Sequence, residues 1–322
     1  MHVTQLEWIV TLTVTIAVLL FDVVVIGRRP HEPTTRETAT YLSIYIGLAV
    51  AFGVWVWFFH GSQFGLEFFA GWLTEYSLSV DNLFIFLIIM ASFKVPRIYQ
   101  QQALLVGIIL ALIFRGVFIA LGAVAIEQFS WVFYIFGAFL LYTAINLVRD
   151  TEHDDDADNF VVRFAQRHLR TTDRWDGLRL WVKDDGARLM TPMFLVIVAL
   201  GTTDLLFALD SIPAIYGLTQ QPYLVFTANV FALMGLRQLY FLLGDLLKRL
   251  VYLSQGLAII LFFIGVKLVL HALHENELPF INGGEPVPVP DIPTLVSLGV
   301  IVVTLAITTA ASLYKTRVRD AR

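Results

Sequence analysis

The sequence predicts an all-α, polytopic membrane protein of about nine transmembrane helices, and three observations carry that reading. Of the 322 residues 57% are apolar and 15% charged, more apolar surface than a soluble chain of this length needs for one core, so most of it must face lipid. Apolar stretches of about 20 residues, enough to cross roughly 30 Å of hydrocarbon, recur along the whole chain. Arginine and lysine then fall almost entirely in alternate connections.

The first predicted span, 6 to 26, is too long for a signal-peptide core and has no basic residue before it, so it reads as a retained helix. The others lie at 41 to 59, 68 to 92, 103 to 124, 130 to 148, 193 to 216, 223 to 243, 252 to 271 and 294 to 313. One side of the membrane then receives Arg28, Arg29, Arg36, Lys94, Arg97, the bases after Arg149, Lys248, Arg249 and the tail with Lys315, Arg317, Arg319 and Arg322; the other side receives none. The positive-inside rule makes that basic side cytoplasmic, with the N-terminus outside and the C-terminus inside. Only Arg115, Arg237 and Lys267 are left within predicted spans.

Along the chain the units are 1–67, two N-terminal spans; 68–149, three spans; 150–192, a cytoplasmic loop; 193–271, three more spans; 272–293, an outer loop; and 294–322, a last span with its basic tail. In the cytoplasmic loop the acidic run at Glu152, Asp154, Asp155, Asp156 and Asp158 precedes an amphipathic stretch, Phe160, Val161, Phe164 and Leu169 against Arg163, Arg167 and Arg170, which reads as a surface helix. His153 beside the acids does not make a calcium loop, since neither the glycine nor the final glutamate of that pattern is present. Proline-rich 272–293 reads as extended linker.

Two of the spans carry acidic pairs of identical spacing, Glu75 and Asp81 in EYSLSVDN and Asp204 and Asp210 in DLLFALDS, 129 residues apart in both positions. The next span in each unit holds one arginine, Arg115 or Arg237, offset by 122, and the third ends in related text, AINLVR or GVKLVL, offset by 121. A three-span unit is thus duplicated. An odd number of spans puts the second copy in the opposite orientation, giving two inverted three-helix repeats, an architecture of secondary transporters whose sites lie near the midplane.

Four carboxylates at helix centres cost about 10–14 kcal/mol on the insertion scale, at about 2.5–3.5 each, which packing alone does not repay. Ion pairs with Arg115, Arg237 and Lys267 balance three of them; a bound divalent cation resolves the deficit. The candidate ligands are Glu75, Asp81, Asp204 and Asp210, with the oxygens of Asn82 and Ser211, all hard donors suited to Mn²⁺ and also to Ca²⁺ or Mg²⁺. Six residues of unbroken helix leave the members of each pair about 9 Å apart, so convergence calls for a break; Pro213 frees the carbonyl of Leu209 beside Asp210, and Ser77 and Ser79 ease a similar one in the first unit. All seven histidines fall in loops or at span ends and there are no cysteines, which disfavours zinc and copper and removes thiol chemistry. Asp22 reads as an interfacial partner of Arg28 or Arg29, and Asp245 as a neighbour of Lys248 and Arg249. A formal charge of −4 provides no field for nucleic acid.

The segments EYSLSVDNLFIF, FALDSIPAIY, ANVFALMGLRQLYFLL and YIFGAFLLYTAINL closely resemble the TerC family, its Alx-like members in particular, over nearly the whole chain. The resemblance implies a bacterial inner-membrane protein related to LysE-type exporters, with a role in manganese export and metal homeostasis, and places Glu75, Asp81, Asn82, Asp204, Asp210 and Ser211 on the ion path. The family pattern has a glutamate where this chain has Gly201 and a lysine where it has Tyr76. The expected activity is export of a divalent cation, most directly Mn²⁺, in exchange for protons, with no organic cofactor. The competing class is a membrane scaffold or a metal or pH stress sensor of the tellurite-resistance type. An enzyme is not expected, since intramembrane protease and serine-nucleophile motifs are absent. The sequence leaves ion identity, stoichiometry and oligomeric state open.

Overall fold

A computed structural model describes residues 1, 3–28, 34–129, 131–149, 175, 179–184, 187–243, 250–276, 278–290 and 292–320; the side chains at 19, 22–28, 81, 84, 183–184, 187–188, 243 and 317–320 fall outside that description. Among the described residues the helices are α1 (Gln5–Arg28), α2 (Thr35–His60), α3 (Ser62–Ser92), α4 (Arg97–Gln128), α5 (Val132–Arg149), α6 (Pro192–Tyr216), α7 (Pro222–Leu243), α8 (Leu253–His274) and α9 (Thr294–Asp320). Eight of them, α2 to α9, are long and apolar enough to cross a membrane, and the described side chains of α1 form a shorter apolar stretch, Gln5–Val18. The protein is a multi-pass, all-α membrane protein.

Local chemistry starts these helices. Thr4 and Glu7 close a reciprocal capping box on α1, the Glu7 amide donating to Thr4 Oγ1 at 3.2 Å and the Thr4 amide to Glu7 Oε2 at 2.6 Å. Thr34 caps α2 by accepting from the Glu37 amide at 3.2 Å. Pro192 opens α6, where a missing N–H costs nothing. Gly61 alone separates α2 from α3 at φ 113°, a conformation that glycine takes without a Cβ clash.

Among the described helices α3 and α7 are the most buried, α4, α6 and α8 contribute about half of their surface to the core, and α9 is peripheral. α3 packs on α7, α6 packs on α4, and α5 packs on α8; α2 covers α3 and α7, α9 covers α3 and α8, and α1 touches α4. The three principal pairings, α3 with α7, α4 with α6 and α5 with α8, are unchanged when α3, α4 and α5 are exchanged for α6, α7 and α8. At the α5–α8 crossing a Cβ on Gly137 would lie 3.0 Å from the Gly265 carbonyl oxygen, and one on Gly265 3.1 Å from that of Gly137. Only glycine admits so close an approach, the small-residue packing that membrane helices favour. Those two glycines are 128 residues apart, close to the 129 of the acidic pairs, whereas the matched text of the third span gave 121.

Two differences from the sequence reading stand out, beside readings that the described residues do not reach. The amphipathic stretch at 160–170, Asp22 and Asp245 lie outside the described residues or side chains. The same loop carries an unforeseen antiparallel hairpin, β1 (Trp181–Asp184) and β2 (Ala187–Met190), pairing Trp181 with Met190 and Asp184 with Ala187. It is tied to α6 by Thr191, whose amide donates to the Leu180 carbonyl at 3.0 Å and whose hydroxyl donates to that of Arg179 at 2.6 Å. The 272–293 loop is no plain linker: the buried Asn276 amide donates to the carbonyls of Ile281 at 2.7 Å and Glu285 at 3.1 Å, folding the segment back on itself.

Candidate functional site

Glu75 sits near the middle of α3, Arg115 near the middle of α4 and Asp204 at the centre of α6, so three core helices bring one charged side chain each to the same depth. Arg115 Nη1 donates to Glu75 Oε2 at 2.6 Å, Nη2 to Asp204 Oδ1 at 3.2 Å and Nε to Asp204 Oδ2 at 3.4 Å. The guanidinium thus forks onto Asp204 and reaches Glu75 with its remaining edge, a geometry only arginine supplies. Exposure is 0% for Glu75 and Arg115 and 1% for Asp204. Two carboxylates share one cation, and Glu75 Oε1 is buried without a hydrogen-bond partner. The hydroxyls of Thr74 and Ser79 on α3 are likewise buried and unpartnered.

The second acid of each pair is elsewhere. α3 and α6 run antiparallel, since Thr219, just beyond α6, donates to Glu67 Oε2 near the start of α3 at 2.6 Å. From the Glu75–Asp204 level the backbone of Asp81 is therefore about 9 Å toward the C-terminal end of α3, and Asp210 about 9 Å the opposite way along α6. Asp210 is partly buried and accepts from Thr143 Oγ1 of α5 at 3.1 Å; its neighbour Ser211 is 1% exposed with an unpartnered hydroxyl. Asn82 is buried beside Asp81, whose side chain lies outside the described set.

The expected helix breaks do not occur. α3 runs unbroken through Ser77 and Ser79, with the Ser77 hydroxyl donating to the Leu73 carbonyl at 2.6 Å, and α6 runs through Pro213 to Tyr216. Pro213 lies in the last turn of α6, and its own carbonyl accepts from the Gly217 amide at 3.0 Å. The six candidate ligands consequently do not converge on one shell. Among the described residues no three His, Asp or Glu side chains are grouped so as to hold a metal ion.

Of the expected counter-charges, Arg115 is the one bonded to Glu75 and Asp204 among the described side chains. Arg237 is buried in α7, and Gln238, in the amide orientation that satisfies both its ends, accepts from Arg237 Nη2 at 2.9 Å. Lys267 donates to Ser297 Oγ of α9 at 3.2 Å and lines a cavity of about 750 Å³ with Glu67, Thr219, His271 and His274, on the side where α3 begins and α8 ends. Sequence reasoning missed Glu67 and Thr143: a single acid at a span boundary and a single threonine carry no periodic signal. The Tyr76 departure has a packing reason, since its ring fills the space left at Gly235, where a Cβ would lie 3.4 Å from the tyrosine ring. Gly201 is buried among Leu110 and Phe114.

The model of a family described as "Integral membrane protein TerC family" matches residues 60–320. An uncharacterized membrane protein of Mycobacterium tuberculosis (strain CDC 1551 / Oshkosh), MT2795, is 50% identical over 99% of this chain and 82% of its own length. The thylakoid membrane protein TERC of Arabidopsis thaliana is 41% identical over 74% of this chain and 63% of its own. A proposed membrane-bound redox modulator of Escherichia coli (strain K12), Alx, is 37% identical over 83% of this chain and 86% of its own. No solved structure matches the chain.

Proposed function

The chain belongs to the TerC family of integral membrane proteins, and from that premise we propose that it is a secondary transporter that moves a divalent metal cation, Mn²⁺ foremost, out of the cytoplasm in exchange for protons. The observation that carries this reading is the charge left over at the centre of the bundle: Glu75 and Asp204, 0% and 1% exposed, share the single guanidinium of Arg115. A helix bundle stabilised by ion pairs needs no second carboxylate there, and a buried ionisable group in a membrane interior is by default a functional one. The donors are carboxylate and hydroxyl oxygens, which suit Mn²⁺ and also accommodate Ca²⁺. Asp81 and Asp210, displaced toward opposite ends of the bundle, then serve as the steps by which a cation approaches and leaves the central pair.

Proton exchange follows from the same groups. Arg115 balances one of the two carboxylates; the other, protonated without metal and ionised with it, links the two fluxes by competition. The exchangeable pairing of α3, α4 and α5 with α6, α7 and α8 supports an inverted duplication, the basis of alternating access in many transporters. The distribution of basic residues supports an N-terminus outside and a C-terminus in the cytoplasm, and the bacterial relatives fit a location in the inner membrane. The redox role in the name of the Escherichia coli relative does not extend to thiol exchange here, because the chain has no cysteine.

The test is Mn²⁺ flux into proteoliposomes loaded with a pH-sensitive dye. Wild-type protein should move Mn²⁺ with counter-moving protons. Glu75→Gln and Asp204→Asn should each lower flux on the order of 10- to 100-fold, the equivalent of one hydrogen bond to a charged group. Well-folded wild-type protein that moves neither Mn²⁺, Ca²⁺ nor Mg²⁺ would reject the transporter and favour the scaffold or sensor.

A further inference from the structure

We propose that Arg115 is a tethered competitor of the transported cation: its guanidinium occupies Glu75 and Asp204 when metal does not, and metal binds only as the guanidinium lets go. This rests on the reading that the central carboxylates take a divalent cation, and it adds how that cation is released.

The geometry is that of an occupant. Arg115 reaches both carboxylates at once, at 2.6 Å to Glu75 and 3.2 Å and 3.4 Å to Asp204, and no other described basic side chain is bonded to either acid. All three groups are enclosed. Two carboxylates neutralise a dication in full and exceed a guanidinium by one charge; holding both cations together would leave net positive charge in a low-dielectric interior, where like charges a few ångströms apart repel strongly. The two occupants are therefore exclusive. Arginine is permanently charged, so it cannot leave by giving up a proton; it can only be displaced.

A purely structural strap accounts less well for what surrounds the pair. Such a strap would satisfy the acids it ties, yet Glu75 Oε1 is buried without a partner. Ser79, one helical turn from Glu75 on the same face of α3, has a buried hydroxyl that is also unpartnered. Hard oxygens that the guanidinium leaves unused remain beside those that it holds. Metal would meet these first and gain the remaining carboxylate oxygens as Arg115 withdraws. When metal moves on, the returning guanidinium takes back the carboxylates, so the site is emptied by a group that never leaves the protein. Arg115 thereby trades affinity for turnover.

The test uses Arg115→Lys, which keeps the charge but replaces the planar fork with a shorter ammonium that cannot hold both acids. In purified full-length protein in detergent, binding of Mn²⁺ alone is read from loss of the free-ion signal in electron paramagnetic resonance, alongside flux in proteoliposomes. The expected result is Mn²⁺ binding about tenfold tighter in Arg115→Lys than in wild type, with a lower KM and a lower maximal flux. Equal or weaker binding by a variant that keeps the wild-type melting temperature overturns the proposal, and if wild type still transports, the transporter reading stands without it. Tighter binding by the variant with no flux in wild type would keep the competition and reject transport. Absence of binding in both proteins overturns both.

Should Arg115→Lys fail to fold, wild-type protein with ¹³C-guanidino arginine gives the same decision by infrared difference spectroscopy on adding Mn²⁺. Guanidinium and carboxylate bands shifting together support displacement; carboxylate bands shifting alone overturn it.

Discussion

The two acidic levels on α6 are six positions apart in sequence and have little in common in structure. At the central level Asp204 is 1% exposed, bonded to a guanidinium through both oxygens and coupled through it to Glu75 on another helix. At the outer level Asp210 is partly buried and accepts one hydrogen bond from the neutral hydroxyl of Thr143. Because α3 and α6 run antiparallel, the same spacing in each brings the first acids together and carries the second acids apart. Residues at the crossing of two antiparallel helices meet; residues displaced from it toward the two C-terminal ends diverge by twice their displacement, about 18 Å here. A repeat that reads as four equivalent ligands folds into one shared pair and two separate outposts.

The sharpest way to break this contrast is to remove the shared cation. Arg115→Met leaves two carboxylates buried with no counter-charge and should cost about 3–5 kcal/mol, the range for breaking a buried ion pair. Thermal unfolding in detergent would show it, and Glu75→Gln in the same chain should restore part of the loss, since one uncompensated charge is gone. Asp210→Asn, by contrast, should change stability by about 1 kcal/mol or less, because a neutral amide can still meet Thr143. If the two variants destabilise equally, the levels are not energetically distinct.

A smaller effect should come from a distance. A Cβ at Gly137 would fall 2.7 Å from Val269 Cγ2 and 3.0 Å from the Gly265 carbonyl oxygen, so Gly137→Ala must push α5 off α8. Overpacking of this kind costs about 1–3 kcal/mol. Thr143 lies on the same helix, so the displacement should weaken the outer level while the Glu75–Arg115–Asp204 cluster, built on α3, α4 and α6, keeps its geometry. Infrared carboxylate bands assigned with Asp210→Asn and Asp204→Asn would tell them apart: the Asp210 band moves and the Asp204 band stays.

Much of this was legible in the sequence. Span positions followed from apolar length, and the buried acids from their repeated spacing. That Arg115 would balance acids was legible too. Which acids, and that it would bridge α3 and α6, was not, because helix rotation and depth decide that and neither leaves a mark in spacing. Pro213 was read as a break beside Asp210, yet α6 continues past it for three residues to Tyr216. The hairpin had a local signal in Asp185-Gly186 between two short β-prone runs, outweighed by the charge pattern around it. The close approach of α5 and α8 is marked by Gly137 and Gly265, yet two glycines among 21 acquire meaning only once the helices are seen to cross there.

The smallest perturbation separates the levels by function. Thr143→Val keeps the shape of the side chain and removes the one described donor to Asp210, at 3.1 Å. Loss of a neutral hydrogen bond at a partly buried site is worth about 0.5–1.5 kcal/mol, so stability should hardly move. If Asp210 is a step on the cation's route, its carboxylate then lies freer to bind metal, and the KM for Mn²⁺ should fall by a fewfold, up to about tenfold, while maximal flux, set at the central pair, changes less. The opposite pattern, an unchanged KM with maximal flux reduced as far as in Asp204→Asn, would mean that Thr143 and Asp210 belong to the conformational change and not to the route. The contrast between levels would then be one of mechanics, with the cation handled at Glu75 and Asp204 alone.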